Sequence, residues 1–385
     1  MSLQKKTLDQ WLDEVDYSAL NNYSPSEFSL KYLNFLKLVN GGKGEANKTP
    51  LFHLFMLDKL ASPEKYVVNL MFRGSGKTSI FAEYLFLYLA LFRKLPHLGE
   101  VDFAIFVGDS MENGAKNLRK NIEHRYENSE FLNQYLPEVK FTDSMIEFTN
   151  LDKEKFSVKL FGATTGLRGV KMYGKRPNLA IMDDLISEEV STSKTLMDFI
   201  KRTVYAGITY AMDPNNFKII FNGTPFNKDD VIVSAVESGQ WNVNVFPVCE
   251  YFPCDKKDFK GAWEDRFPYE VIKQKYDMAV GTGSPQSFYQ EMMLRISIAE
   301  EKLVQDSEIR WYSRKELLGL KGNFNWYITT DFATSAKEKA DWSVISVWAY
   351  NNNGDWFWVD GICEKQTMDR SEERRVGKEC RSRWS

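Results

Sequence analysis

The chain has 385 residues, of which 43% are hydrophobic and 27% charged, with a formal net charge of −3. That length accommodates two or three domains with a substantial core, and the near-balanced charge excludes nucleic-acid binding through global charge, leaving only local basic patches. Four cysteines (Cys249, Cys254, Cys363, Cys380) are too few for a disulfide framework in a chain of this size, which points to a reducing compartment, and three histidines remote from Cys249 and Cys254 argue against a zinc site.

The N-terminus, "MSLQKKTLDQWLDEVD", is charged throughout and carries no signal-peptide pattern. Residues 1–60 read as a helical segment, broken at "NGGKGEANKTP". "KYVVNLM" is a short β-branched run that suits a buried strand, followed by a glycine-rich loop and a helical stretch from Lys77 to about Arg93. The most apolar run, "SIFAEYLFLYLALF", contains Glu83 and at about 14 residues is too short to span a bilayer; it reads as a buried helix. "VDFAIFVG" (101–108) is a second buried strand, and "SMENGAKNLRKNIEHRY" an amphipathic helix with Ser110 as its cap. "MIEFT" and "SVKLF" suit two short strands, "NLAIMDD" (178–184) a buried strand with acids at its end, and "NFKIIFNGTP" (216–225) another. Strands alternating with helices at this spacing predict an α/β fold with a parallel sheet covered by helices. The expected core domain spans 61–240. From 241 to 319 the chain turns aromatic and proline-rich, as in "FPVCEYFPCDKKDFKGAWEDRFP", and reads as a connecting subdomain. Three strand-like runs follow in 320–369, "FNWYITTDFATS", "DWSVISVWAY" and "GDWFWVDGI", with "NNNG" a hairpin turn between the last two.

The stretch "FRGSGKT" (72–78) ends like a phosphate-binding loop, although Met71 stands where G-x-x-x-x-G-K-[ST] has its first glycine. Such a loop cradles phosphates with backbone N–H groups at a helix N-terminus, meets the β- and γ-phosphates with a lysine, and holds Mg2+ with the next hydroxyl. Gly74, Ser75 and Gly76 would form the cradle, Lys77 the phosphate contact and Thr78 the metal ligand. An ATPase of this kind also needs an acid at the end of a neighbouring strand. In "LAIMDD", Asp183 fits the metal-side acid and Asp184 the base that orients the attacking water. The plainer reading of that segment is a buried strand ending in two solvated acids.

"GATTGLRG" (162–169) before the acidic strand, "FNGTP" (221–225) after it, and "ITTDFATS…KADWSVISVWAY" about a hundred residues later complete a set. In this order, with an arginine inside the phosphate loop, the set resembles the large terminase subunit of tailed bacteriophages, the ATPase–nuclease motor that packages DNA into procapsids. The resemblance covers about residues 50–369. It implies a P-loop NTPase of the additional-strand (ASCE) type followed by a partial RNase H-like nuclease domain, with ATP and Mg2+ as cofactors. Arg73 would sense or stabilise the γ-phosphate. Gly223, Thr224 and Pro225 match the motif coupling hydrolysis to movement. Asp184 stands where the family usually has glutamate. Arg168 lies in the "LRG" motif without a derived role, and no adenine-side glutamine is evident in "LFHLFMLDKLAS".

Asp331 matches the first metal-binding carboxylate of the nuclease, a catalytic residue in the family. Asp341 and Asp360 read as solvated rather than ligating. The family's later carboxylates are not reached, so the chain is expected to be cut off within the nuclease domain and to lack endonuclease activity. "RSEERRVGKECRSRWS" (370–385) is similar to a translated sequencing adapter and is expected to be non-native. The family also implies double-stranded DNA, a portal protein and a small terminase subunit as partners, and a ring homo-oligomer on the portal. It implies the host cytoplasm and transiently the procapsid portal as location, with no membrane. The alternatives from the residues alone are another P-loop NTPase, such as a helicase or small-molecule kinase, and a nucleotide-binding scaffold without turnover.

Overall fold

A run such as Val67–Met71, whose apolar side chains are all fully buried, forms a strand only where both faces of a sheet are covered. The computed structural model, which describes residues 5–43, 46–167, 169–296, 310–331 and 343–364, provides that setting. Strands β1 (Tyr66–Met71), β4 (Phe103–Gly108), β7 (Lys155–Gly162), β8 (Leu179–Asp183), β9 (Lys218–Gly223) and β10 (Asn242–Phe246) run parallel. β5 (Glu138–Thr142) and β6 (Met145–Thr149) extend the sheet antiparallel, giving the order β10-β1-β9-β8-β4-β7-β6-β5. Two two-residue strands, β2 (Lys94–Leu95) and β3 (Gly99–Glu100), form a separate ribbon. The acid-bearing strand β8 is thus separated from the loop-bearing strand β1 by β9, the additional-strand arrangement that the resemblance implies.

Strand side chains alternate between two cores. Met71, Ile181 and Ile220 face one, with Tyr32, Phe52, Phe81 and Leu85 over them. Leu70, Met182 and Phe221 face the other, against Met197, Ile200, Ile232 and Val236. The chain is helical from Lys77 to Phe92, with a π-turn over Ser79–Glu83, and every residue from Ile80 to Ala90 is buried, as the apolar run predicted. Inside it Glu83 is held by Arg125 Nε (2.8 Å) and Asn121 Nδ2 (2.8 Å), which makes a buried carboxylate tolerable. Ser110 caps the next helix by accepting from the amide of Asn113 (3.1 Å). No described helix is long and apolar enough to cross a membrane.

The expected domain limits differ from the observed ones. The chain divides into Met1–Ile298 and Ala299–Ser385. Residues of the 1–60 segment, Tyr32, Phe35 and Phe52 among them, belong to the main core rather than standing apart. The sheet does not stop at 240: β10, whose "NVNVF" alternates polar and apolar residues, pairs in parallel with β1. The 241–319 segment is divided between units. The helices Tyr269–Gly281 and Pro285–Met293 pack into the main core, whereas helix Arg314–Gly319 lies in the second unit. There Leu317 joins Ala349 and Val359 beneath an antiparallel sheet of β11 (Asn325–Asp331), β12 (Ser343–Tyr350) and β13 (Trp356–Glu364). The turn at Asn351–Gly354 is held by the Asn351 side chain, which accepts from the amides of Asn353 and Asp355 (both 2.9 Å). Arg168, Asp341 and residues 370–385 lie outside the described residues.

Candidate nucleotide site

Parallel strands bring their carboxyl ends to one edge of the sheet, and three of them deliver the candidate residues there. β1 runs into the loop Phe72–Thr78. Gly74 and Gly76 adopt φ of +87° and +81°, open to glycine at little cost, and a Cβ on Gly74 would also stand 3.1 Å from the ring of Phe267. The loop is tied down at three points. The Arg73 amide donates to the Glu291 carbonyl (2.8 Å), the Ser75 amide to the Phe72 carbonyl (3.2 Å), and His53 Nε2 contacts the Ser75 carbonyl at 2.7 Å. Because a carbonyl only accepts, His53 must carry its proton on Nε2. Burial, with the Arg266 cation adding to it, pushes this imidazole down to about 4 against the hydrogen bond to Ser75, so the ring is neutral.

Lys77 is 7% exposed. Its ammonium lies 2.9 Å from Asp184 Oδ2 and 3.2 Å from Thr224 Oγ1. Burial opposes its charge, but Asp184 and Asp183 prevail and raise its pKa above the ordinary lysine value. The Thr78 hydroxyl donates to Asp183 Oδ2. Asp183 is buried, and burial followed by the neighbouring charge of Asp184 pushes its carboxyl up to about 7, with Lys77 and Thr78 opposing.

Asp184 stands just beyond β8 at φ +43°, a left-handed conformation costing about 1 kcal/mol in a residue with a Cβ. It is held there by its amide, which donates to the Asn222 carbonyl (3.1 Å), and by Oδ1, which accepts from the Thr224 amide (3.2 Å). Thr224 in turn donates its hydroxyl to the Met71 carbonyl (2.8 Å). At Gly223, the end of β9, a Cβ would stand 2.9 Å from Ile232 Cδ1, so the tip of that side chain would have to shift. Pro225 follows, buried.

Lys77, Thr78, Asp183, Asp184 and Thr224 line one cavity of about 340 Å3, with Arg73 and Glu291 also on its wall. Arg73 is exposed and its guanidinium pairs with Glu291 (3.1 Å) rather than with the acids. Asp109, Asn113, Asn117 and Asn121 also line it, and neither they nor Glu291 belong to a motif. His53 was likewise not legible: its role depends on a carbonyl 22 positions away. A larger open hollow of about 540 Å3 lies at the opposite edge, among Asp102, Lys171, Lys175, Arg176 and Asp213, and holds none of these groups. The donor set fits Mg2+ and a polyphosphate: hydroxyl and carboxylate oxygens are hard ligands, and the lysine and glycine loop suit phosphate.

In the second unit Asp331 is exposed at the end of β11, opposite Val344. Asp360, expected to be solvated, is paired with Arg314 Nη2 at 2.8 Å. Among the described residues no three His, Cys, Asp or Glu side chains gather as metal ligands.

No family model and no curated protein matches the sequence. Among solved structures the chain is similar to the crystal structure of the HK97 bacteriophage large terminase, at 17% identity and a TM-score of 0.46, over 90% of this chain and 70% of that one. It is also similar to the Phi-28 gp11 DNA packaging motor, at 9% identity and a TM-score of 0.33, over 78% of each chain. Likeness at this level assigns no residue a role, and the roles below rest on the site's own geometry.

Proposed function

We propose that the chain is an ATPase of the large-terminase type, hydrolysing ATP to drive double-stranded DNA into a procapsid. The observation carrying the ATPase reading is the convergence of Lys77, Thr78, Asp183, Asp184 and Thr224, from three separate stretches of sequence, on one cavity at the carboxyl edge of a parallel sheet. The packaging reading rests on the order of motifs described above, and with it go the portal, the small terminase subunit, the ring assembly and the procapsid as its place of work.

When bound, Mg2+ would neutralise charge between the β- and γ-phosphates. Thr78 and Asp183 Oδ2 would hold its shell, the Gly74–Gly76 loop would cradle the phosphates, and Arg73 would leave Glu291 to meet the γ-phosphate. Lys77 serves as counter-charge to Asp184 before nucleotide arrives. Phosphate competes for that ammonium. Once Lys77 turns to it, Asp184 is released to accept a hydrogen bond from the attacking water. The same carboxylate already accepts from the Thr224 amide, so a change at Asp184 is transmitted directly to the Gly223–Pro225 segment and the helix Val231–Glu237 behind it. This is a physical route from hydrolysis to movement.

The test is phosphate release by the purified chain with Mg-ATP, with and without duplex DNA and procapsids. Turnover that requires Lys77 and rises with DNA or procapsids supports the reading. Binding without turnover under every condition would favour a scaffold, and transfer of phosphate to a small acceptor would favour a kinase.

A further inference from the structure

Three asparagines and one site acid lie in a single row across the parallel sheet. Asn244 of β10 stands in register with Asn69 of β1, Asn69 with Asn222 of β9, and Asn222 with Asp183 of β8. All four are buried, Asn222 completely. In-register residues on parallel strands point to the same face, here the face of Met71, Ile181 and Ile220, which packs in one core with Phe81 and Leu85 of the helix that follows the phosphate loop.

Three amides in an apolar face are costly unless hydrogen-bonded. The row answers this by passing bonds one way. Asn244 Nδ2 donates to Asn69 Oδ1 at 2.9 Å, and Asn69 Nδ2 donates to Asn222 Oδ1 at 2.8 Å. It then stops at two buried atoms that have no hydrogen-bond partner among the described residues, Asn222 Nδ2 and Asp183 Oδ1. One is a donor, the other an acceptor, and they belong to in-register neighbours. Asn222 Oδ1 is taken up as acceptor by Asn69, which leaves its NH2 toward β8, and the same sense runs back to Asn244. A row of the opposite sense would set oxygen against oxygen.

We propose that Asn222 is a positioning residue for Asp183: its amide, held from behind by Asn69 and Asn244, donates to Asp183 Oδ1 and thereby keeps Oδ2 turned to the Thr78 hydroxyl and the phosphate side of the site. The consequence for Mg2+ rests on the proposed function, whereas the proposed hydrogen bond from Asn222 to Asp183 does not. Outer partners that orient a metal-side ligand are worth ten- to a hundredfold in metal affinity. A row that only joined strands would affect stability and leave metal dependence alone.

The experiment is a Mg2+ titration of the binding of a fluorescent ATP analogue to the full chain, comparing the parent with Asn222→Leu, which keeps the branched shape and removes the amide. Half-saturating Mg2+ should rise about tenfold or more, with nucleotide affinity in EDTA unchanged. Asn244→Leu, two steps removed, should shift it less in the same direction, and add nothing in the Asn222→Leu background. An Asn222→Leu chain with the parent's Mg2+ dependence overturns the proposal. Should that variant fail to fold, an unchanged Mg2+ dependence in Asn244→Leu overturns it instead. A double-mutant cycle on the thermal midpoint with Asn222→Leu and Asp183→Ala decides the contact without any nucleotide. Non-additive shifts support it, and additive shifts overturn it even if the parent binds no Mg-nucleotide, a result that would by itself sink only the proposed function.

Discussion

Mild acid should loosen the phosphate loop through one residue, His53. Its buried ring donates to the Ser75 carbonyl at 2.7 Å, packs edgewise on Trp263 at 5.1 Å between centroids, and is pushed down to about 4 by burial and by Arg266. An unfolded chain has a histidine near 6.5. Below that value the unfolded state takes up a proton that the folded state refuses, so stability is fully present above about 6.5 and is lost as pH falls toward 4. Between pH 7 and pH 5 the linkage amounts to about 2 kcal/mol from this residue, and to about 3 kcal/mol by pH 4, a large part of the 5–15 kcal/mol that holds a typical domain. The comparison is between the parent and His53→Gln, which can still donate an N–H to Ser75 but does not titrate. Urea unfolding at pH 7 and pH 5 should show the variant about 1 kcal/mol less stable at pH 7. The variant should then lose about 2 kcal/mol less than the parent on acidification. Hydrogen exchange in residues 72–80 should follow the same pattern, since a charged ring in this buried pocket favours opening of the segment packed around it. Parallel falls in stability for the two chains would refute the reasoning, because the acid response would then belong to other groups.

Lys77→Ala should reduce ATP turnover by about a hundredfold or more, since it removes a charge aimed at the developing phosphate anion; unchanged turnover would reject the site. Asp184→Asn should abolish turnover while Mg-nucleotide binding stays within about tenfold, because Asp183 and Thr78 remain, and Asp184→Glu should retain activity. Loss of binding in Asp184→Asn to the extent seen in Asp183→Asn would move Asp184 to the metal. With plasmid and Mg2+ or Mn2+ the chain should not cut DNA, as a two-metal nuclease needs several clustered carboxylates and only Asp331 is assigned; cleavage that disappears in Asp331→Ala would refute this.

The local chemistry of the site was legible because it is local. A lysine and threonine after two glycines, and two acids after an apolar strand, are neighbours in sequence, and so were the strands, the buried helix and the Ser110 cap, whose periodicities lie within a few residues. The roles that escaped are those that depend on contacts far apart in the chain. "NVNVF" alternates as a strand does, but only its pairing with β1 places it at the edge of this sheet. Lys77 reads as the phosphate contact, but its burial depends on Asp184 and Thr224, brought from more than a hundred residues away, which supply it with a carboxylate and a hydroxyl. Glu291 has no motif, yet its backbone and side chain both hold Arg73. The clearest case is the asparagine row. Asn69, Asn222 and Asn244 each read as a polar interruption of an apolar strand, a defect on its own terms. Register alone turns three separate interruptions into one directed chain of hydrogen bonds ending at Asp183, because strand order is set by how the helices pack on both faces and not by any one strand's own residues.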